Sequence, residues 1–161
     1  MKTILVQMTE KQWTMPALHL ACALARNTQA QIILLQLMPV AHASYLGTQF
    51  GYTAPTPQEL DDIDEYKATA EDYGITLTIQ PMQCLTPLDA VVDAAGQLNA
   101  DAVFAYVPKS PIPYWQKFQK WTLRRRLSAA NRQLFMLDKS DEMNGRLPTI
   151  TVRTVYTLSS H

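Results

Sequence analysis

The chain is predicted to fold as an α/β domain, with a doubly wound sheet of five parallel strands and helices on both faces. Three observations predict it. Short apolar runs, several rich in β-branched residues, alternate with helical segments from the first residues to about residue 137. The linking segments are long enough for parallel crossovers, which are right-handed in nearly all known sheets. The run at 31–40 is apolar almost throughout, as a strand covered on both faces must be.

Each element has its own local reason. Residues 3–9 are a short, β-branched apolar run and form strand one. Residues 15–27 are rich in Ala and Leu, with Pro16 near the first turn, and form helix one. Strand two is 31–40. A longer polar and aromatic loop, 42–55, carries Gly47 and Gly51. Helix two then starts on Thr56-Pro57-Gln58-Glu59. Thr56 accepts from the amide three residues on, and Glu59 reaches back to the amide of Thr56. It runs to about Tyr73, where Gly74 supplies a left-handed stop. Strand three is 75–80, loosened at its end by Pro81. Thr86 caps helix three, Pro87 opens it, and Asp89 complements its positive end; it ends near Asn99. Strand four is 102–107, helix four 113–131 and strand five 133–137. Beyond Asn144-Gly145, a turn signal, residues 149–158 are strongly β-prone and follow strand five with no intervening helix. That stretch must pair antiparallel at an edge or add to another subunit. The expected division is a domain at 1–138 and an extension at 139–161.

Composition narrows the class. At 161 residues one domain is expected, and 47% hydrophobic against 17% charged residues supports a core. The longest apolar run, 32–40, is broken by Gln36 and too short to span a bilayer. The N-terminus enters a strand directly, without the tripartite pattern of a secretory signal. Cys22 and Cys84 sit far apart in apolar surroundings and read as buried free thiols in a reducing cytoplasm. His19, His42 and His161 have no ligand spacing to cysteine, so no metal is expected. No catalytic triad or carboxylate pair can be assembled from local spacing.

The formal net charge of zero hides two opposed patches. Glu59, Asp61, Asp62, Asp64, Glu65, Glu71 and Asp72 crowd helix two. Lys109, Lys117, Lys120, Arg124, Arg125, Arg126 and Arg132 lie in a stretch with no acid between Asp101 and Asp138.

The segment 101–114 carries the strongest functional information. It runs from a buried strand through a loop into a helix, and ligands of parallel α/β sheets sit at such junctions. A phosphate-binding loop needs Gly, because bare amides must approach the phosphate. This loop has none and carries Pro108, Pro111 and Pro113, each lacking a donor.

Taken together, Lys2-Thr-Ile-Leu-Val6, the alanines of helix one (Ala17, Ala21, Ala23, Ala25), the long strand two, and Leu88-Asp-Ala-Val-Val-Asp-Ala-Ala95 followed by Asn99-Ala-Asp-Ala-Val103 resemble the universal stress protein family over about residues 2–138. The resemblance implies sheet order 3-2-1-4-5, a Rossmann-like frame, and dimers formed through the last strand. It also implies where a nucleotide would lie. Nucleotide-binding members place an Asp at the end of strand one, where this chain has Thr9. Members that bind ATP carry Gly-x2-Gly-x9-Gly-Ser/Thr after strand four. The matching region, 107–123, has no Gly, and Lys120-Trp121 falls where the Gly-Ser pair would be. Family-style ATP binding is therefore not expected.

Two regions are candidate sites. Gln7, Met8, Thr9, Tyr106, Val107, Lys109 and Ser110 should line the crevice where strand order reverses. In one reading Thr9 and Ser110 donate to a small polar ligand and Lys109 supplies charge. In the other, Met8, Pro108 and their neighbours plug the crevice. On helix four, Trp115, Phe118 and Trp121 recur at three-residue spacing among Lys117, Lys120, Arg124, Arg125 and Arg126. Such a helix would either hold a phosphate backbone or anionic membrane surface, or bury its aromatic stripe against the sheet and solvate its basic side. Burial is the expectation, because helix four must cover the sheet. Helix two reads as a solvated acidic face, or else as a contact for a neighbour's basic helix.

The expected function is a non-catalytic, homodimeric stress-response or regulatory domain without a cofactor. Thr149, Ile150, Thr151, Val152, Arg153, Thr154 and Val155 form its dimer strand. The competing reading is an adenine-nucleotide module holding ATP or AMP in a non-standard way at the crevice, with weak hydrolysis left open. A small anionic ligand is compatible with either; nucleic acid is not expected.

Overall fold

The computed structural model of the chain describes residues 1–137. Five strands form one parallel sheet in the order β3-β2-β1-β4-β5. They are β1 (Thr3–Met8), β2 (Gln31–Pro39), β3 (Leu77–Cys84), β4 (Ala102–Phe104) and β5 (Gln133–Phe135). The helices are α1 (Lys11–Thr28), α2 (Pro57–Asp72), α3 (Pro87–Gln97) and α4 (Pro113–Ala129). Two short 3-10 turns, Ala43–Tyr45 and Gln49–Gly51, punctuate the loop after β2. The extension and its β-prone stretch at 149–158 lie outside the described residues.

Side chains alternate across a strand, and here the alternation divides the core in two. Ile4, Val6, Ile32, Leu34 and Phe104 meet Ala17, Leu18, Ala21 and Cys22 of α1 and Ile63 and Tyr66 of α2. Leu5, Ile33, Leu35 and Val103 meet Val91, Ala94 and Ala95 of α3 and Leu123 and Leu127 of α4. The small alanines of α1 let that helix approach the sheet closely.

Most boundaries follow the local signals, and the departures have physical causes. α1 begins at Lys11, four residues before the expected start, so Pro16 sits inside the helix. Burial of Trp13 holds this extra turn, and the Glu10 carbonyl accepts from the Trp13 and Thr14 amides. β3 starts later than expected and runs on through Pro81 to Cys84. Among the described residues β3 is an edge strand, where a residue without an N–H is tolerated. β4 and β5 are three residues each, because their mutual ladder stops at Phe104 and Phe135. Thr56 and Glu59 make both hydrogen bonds of the capping box. Thr86 makes no side-chain cap, and Asp89 instead turns to Arg126 of α4.

The motif Asn99-Ala-Asp-Ala-Val has a structural role. The Asp101 carboxylate accepts from the Thr3 amide at 2.8 Å. Its main chain donates to the Thr3 carbonyl and accepts from the Gln133 amide. Asp101 thus ties together the starts of β1, β4 and β5. The loop after β2 is fixed by Gln83 on β3, whose side chain accepts from the Gly47 amide at 2.6 Å and donates to the Thr48 carbonyl at 2.9 Å. Gly51 fills a position where a Cβ would lie 2.7 Å from the Tyr45 carbonyl oxygen.

Candidate functional site

The carboxyl ends of β1 and β4 adjoin where strand order reverses, as the topology requires. Gln7 is 6% exposed, and its side-chain oxygen accepts from the Tyr106 amide at 2.9 Å. The ladder between the two strands has already ended at Val6 and Phe104, so Gln7 satisfies the next amide in its place. The Tyr106 ring meets the Trp13 ring edge to face, 5.5 Å between centroids. Trp13 is buried and points its indole N–H at the Leu137 carbonyl, 3.4 Å away. The Thr9 amide donates to the Thr14 hydroxyl at 2.9 Å. The hydroxyl of Thr9 is itself buried without a hydrogen-bond partner.

The sequence-derived residues therefore divide. Gln7 and Tyr106 meet directly. Met8 packs into the core beneath α1. Val107 packs toward α3 and α4, and its carbonyl accepts from Gln116. Ser110 uses its hydroxyl on the Ile112 amide at 3.2 Å, and Lys109 is exposed. Trp13, Thr14 and Leu137 were not anticipated. They reach the crevice because α1 starts early and β5 ends beside it. A Trp four residues beyond Thr9 was the available signal.

Anion binding by a loop needs free, convergent amides. In residues 105–113, Pro108, Pro111 and Pro113 have none. The Ala105 amide bonds to Phe135, that of Tyr106 to Gln7, and that of Ile112 to Ser110. The amides left over are those of Val107, Lys109 and Ser110, interrupted by Pro108 and stopped by Pro111. The loop therefore offers at most two consecutive free donors, Lys109 and Ser110, short of the longer run that wraps a phosphate.

A hollow of about 430 Å³ lies at the opposite, amino end of the sheet, lined by Lys2, Asp101 and Arg132 among others. Asp101 is occupied with Thr3, and Arg132 with the Ala100 carbonyl. Its polar groups thus serve the strand starts.

Helix α4 corrects an expectation. Its aromatic stripe is not buried against the sheet: Trp115, Phe118 and Trp121 are each about half exposed and Tyr114 is 78% exposed. Leu123 and Leu127 do the covering. Arg126 pairs with Asp89, and the Arg125 guanidinium sits 5.3 Å from the centre of the Trp121 ring. On the other face of the molecule, Lys11 of α1 bridges to Glu65 at 2.6 Å and Asp62 at 3.7 Å of α2. These carboxylates push the Lys11 amine above its ordinary range. Part of the acidic helix is thus paired within the chain.

No family model and no curated protein matches this sequence. Solved structures do. A universal stress protein in complex with cAMP matches at a TM-score of 0.59 and 17% identity, over 86% of this chain and 98% of its own. The universal stress protein of Archaeoglobus fulgidus in complex with dAMP matches at 0.55 and 14%, over 86% and 98%. A family protein of Arabidopsis thaliana with AMP bound matches at 0.52 and 9%, over 93% and 99%. The chain has the doubly wound fold of the universal stress proteins, and its own sheet runs in the order 3-2-1-4-5. Among the described residues no helix is long and apolar enough to cross a membrane.

Proposed function

We propose that the chain is a non-catalytic, universal stress protein-like regulatory domain that works as a homodimer and does not bind ATP in the family manner. The observation that carries this reading is how the crevice between β1 and β4 is furnished. Gln7 takes the amide of Tyr106, Trp13 covers the Tyr106 ring, and the loop beyond lacks both glycine and a cradle of free donors. Dimerisation rests on the β-prone stretch 149–158 and on β5 standing at the sheet edge among the described residues. An added strand would satisfy that edge across a two-fold axis.

One observation favours the second reading, an adenylate held in a non-standard way. The Thr9 hydroxyl is buried and unpartnered at the position where nucleotide-binding members place their Asp, and three structural neighbours contain cAMP, dAMP or AMP. Thermal-shift titration with ATP and magnesium, and with AMP and cAMP, separates the two. A ligand at 100 times its dissociation constant stabilises by ~2.7 kcal/mol, which a melting curve resolves. The first reading predicts no shift at millimolar nucleotide. A saturable shift abolished by Thr9→Val would establish the second reading.

A further inference from the structure

We infer that the outer face of α4 is a docking surface for an anionic lipid bilayer, on which the domain lies without spanning it. The inference stands on helix geometry and is independent of whether the crevice binds a nucleotide. Leu123 and Leu127 mark the side of α4 that faces the sheet. At 100° per residue, Tyr114, Phe118, Trp121 and Arg125 fall roughly 160–220° around the helix from Leu123, and so point straight away from the domain. Lys117 and Arg124 fall roughly 100–120° around and flank the aromatic stripe on one side. Ile112, just before the helix, is 61% exposed and continues the ridge at its leading end.

The occupant follows from the chemistry of this face. A strand added to the edge of β5 would extend the sheet plane, which lies beneath α4, and would leave the outer face open. Residues 102–137 contain no acidic side chain, and the stripe is bordered by Lys117, Arg124 and Arg125, while Asp89, which reaches α4 from α3, is paired with Arg126. Single-stranded nucleic acid would need open ring faces on which bases stack. Here Trp115 and Phe118 stack on one another at 5.8 Å, and Phe118 and Trp121 lie tilted at 6.1 Å. The rings form a continuous apolar ridge. An apolar ridge containing Trp and Tyr, bordered by Lys and Arg, matches the boundary between lipid headgroups and acyl chains. The rings would enter that boundary, with Lys117 and Arg125 meeting the phosphates.

The test is co-sedimentation of the full chain with vesicles of phosphatidylglycerol and phosphatidylcholine, against vesicles of phosphatidylcholine alone. The expected result is salt-sensitive binding to the anionic vesicles only. Because both substituted rings are exposed, Phe118→Ser with Trp121→Ser should leave melting unchanged and lower partitioning at least about tenfold. Lys117→Glu with Arg125→Glu should abolish the preference for anionic lipid. Brominated acyl chains should quench emission from Trp115 and Trp121 in the unaltered protein, a readout that needs no variant. The inference is overturned by absence of binding at about 50 mM salt, by equal binding to neutral vesicles, or by unquenched emission. Retention on heparin or single-stranded DNA without vesicle binding would also overturn it, as would binding that survives the helix substitutions.

Discussion

Gln7 and Trp13 both engage Tyr106 at the crevice between β1 and β4, one through its amide and the other through its ring. A side-chain amide can end a strand ladder cleanly, because it offers an acceptor where the neighbouring strand has stopped providing one. Gln7 was legible as a crevice residue from the strand pattern alone. Trp13 was not, since its partners Tyr106 and Leu137 lie far along the chain, and Pro16 pointed to a later helix start. Cys22 makes a prediction at the same scale. Burial pushes its thiol up to about 11, whereas an unfolded thiol ionises near about 8.5. Between these values the unfolded chain releases a proton that the folded chain keeps, so stability falls as pH rises and is level below that window. Urea unfolding at about pH 8 and about pH 10 should show the unaltered protein losing about 1–2 kcal/mol more than Cys22→Ala. Equal losses would contradict the buried thiol.

The helix starts announced by a Thr-Pro pair, those of α2 and α3, came out where expected. The start of α2 rests on Thr56, Pro57 and Glu59, all within one turn, and the two capping-box hydrogen bonds are made within that turn. Thr56→Ala should therefore cost about 1 kcal/mol by chemical denaturation. A cost near zero would mean that the box is not formed in solution. Thr86 shows the limit of such reasoning, since a similar sequence signal yields no side-chain cap there, and Asp89 pairs with Arg126 on another helix where Glu59 reaches back to its own cap. In α4 the three-residue spacing revealed an aromatic stripe but not its direction. Leu123 and Leu127, four apart, were the better guide to the buried side, because they place apolar bulk opposite the charge at Arg125.

At the scale of the whole molecule, the fold was legible because the crossovers share one logic: a strand with an apolar face, continuous on both faces in β1 and β2 and alternating in β3, then a helix with one apolar side. The zero net charge resolves into acids on α2, on one face of the sheet, and cations on α4, on the other. The proposed dimer also belongs to this scale. Deleting residues 145–161 should yield monomers or aggregates in light scattering, through loss of the strand that would pair at the sheet edge. A truncated chain that stays dimeric would place the interface elsewhere. The central claim is that the crevice between β1 and β4 is closed to nucleotides. Native mass spectrometry of the purified protein, read with its absorbance near 260 nm, tests it most directly. The account predicts masses of the bare chain and a protein-like spectrum; a co-purifying adenylate, seen as an added mass with excess absorbance, would contradict it.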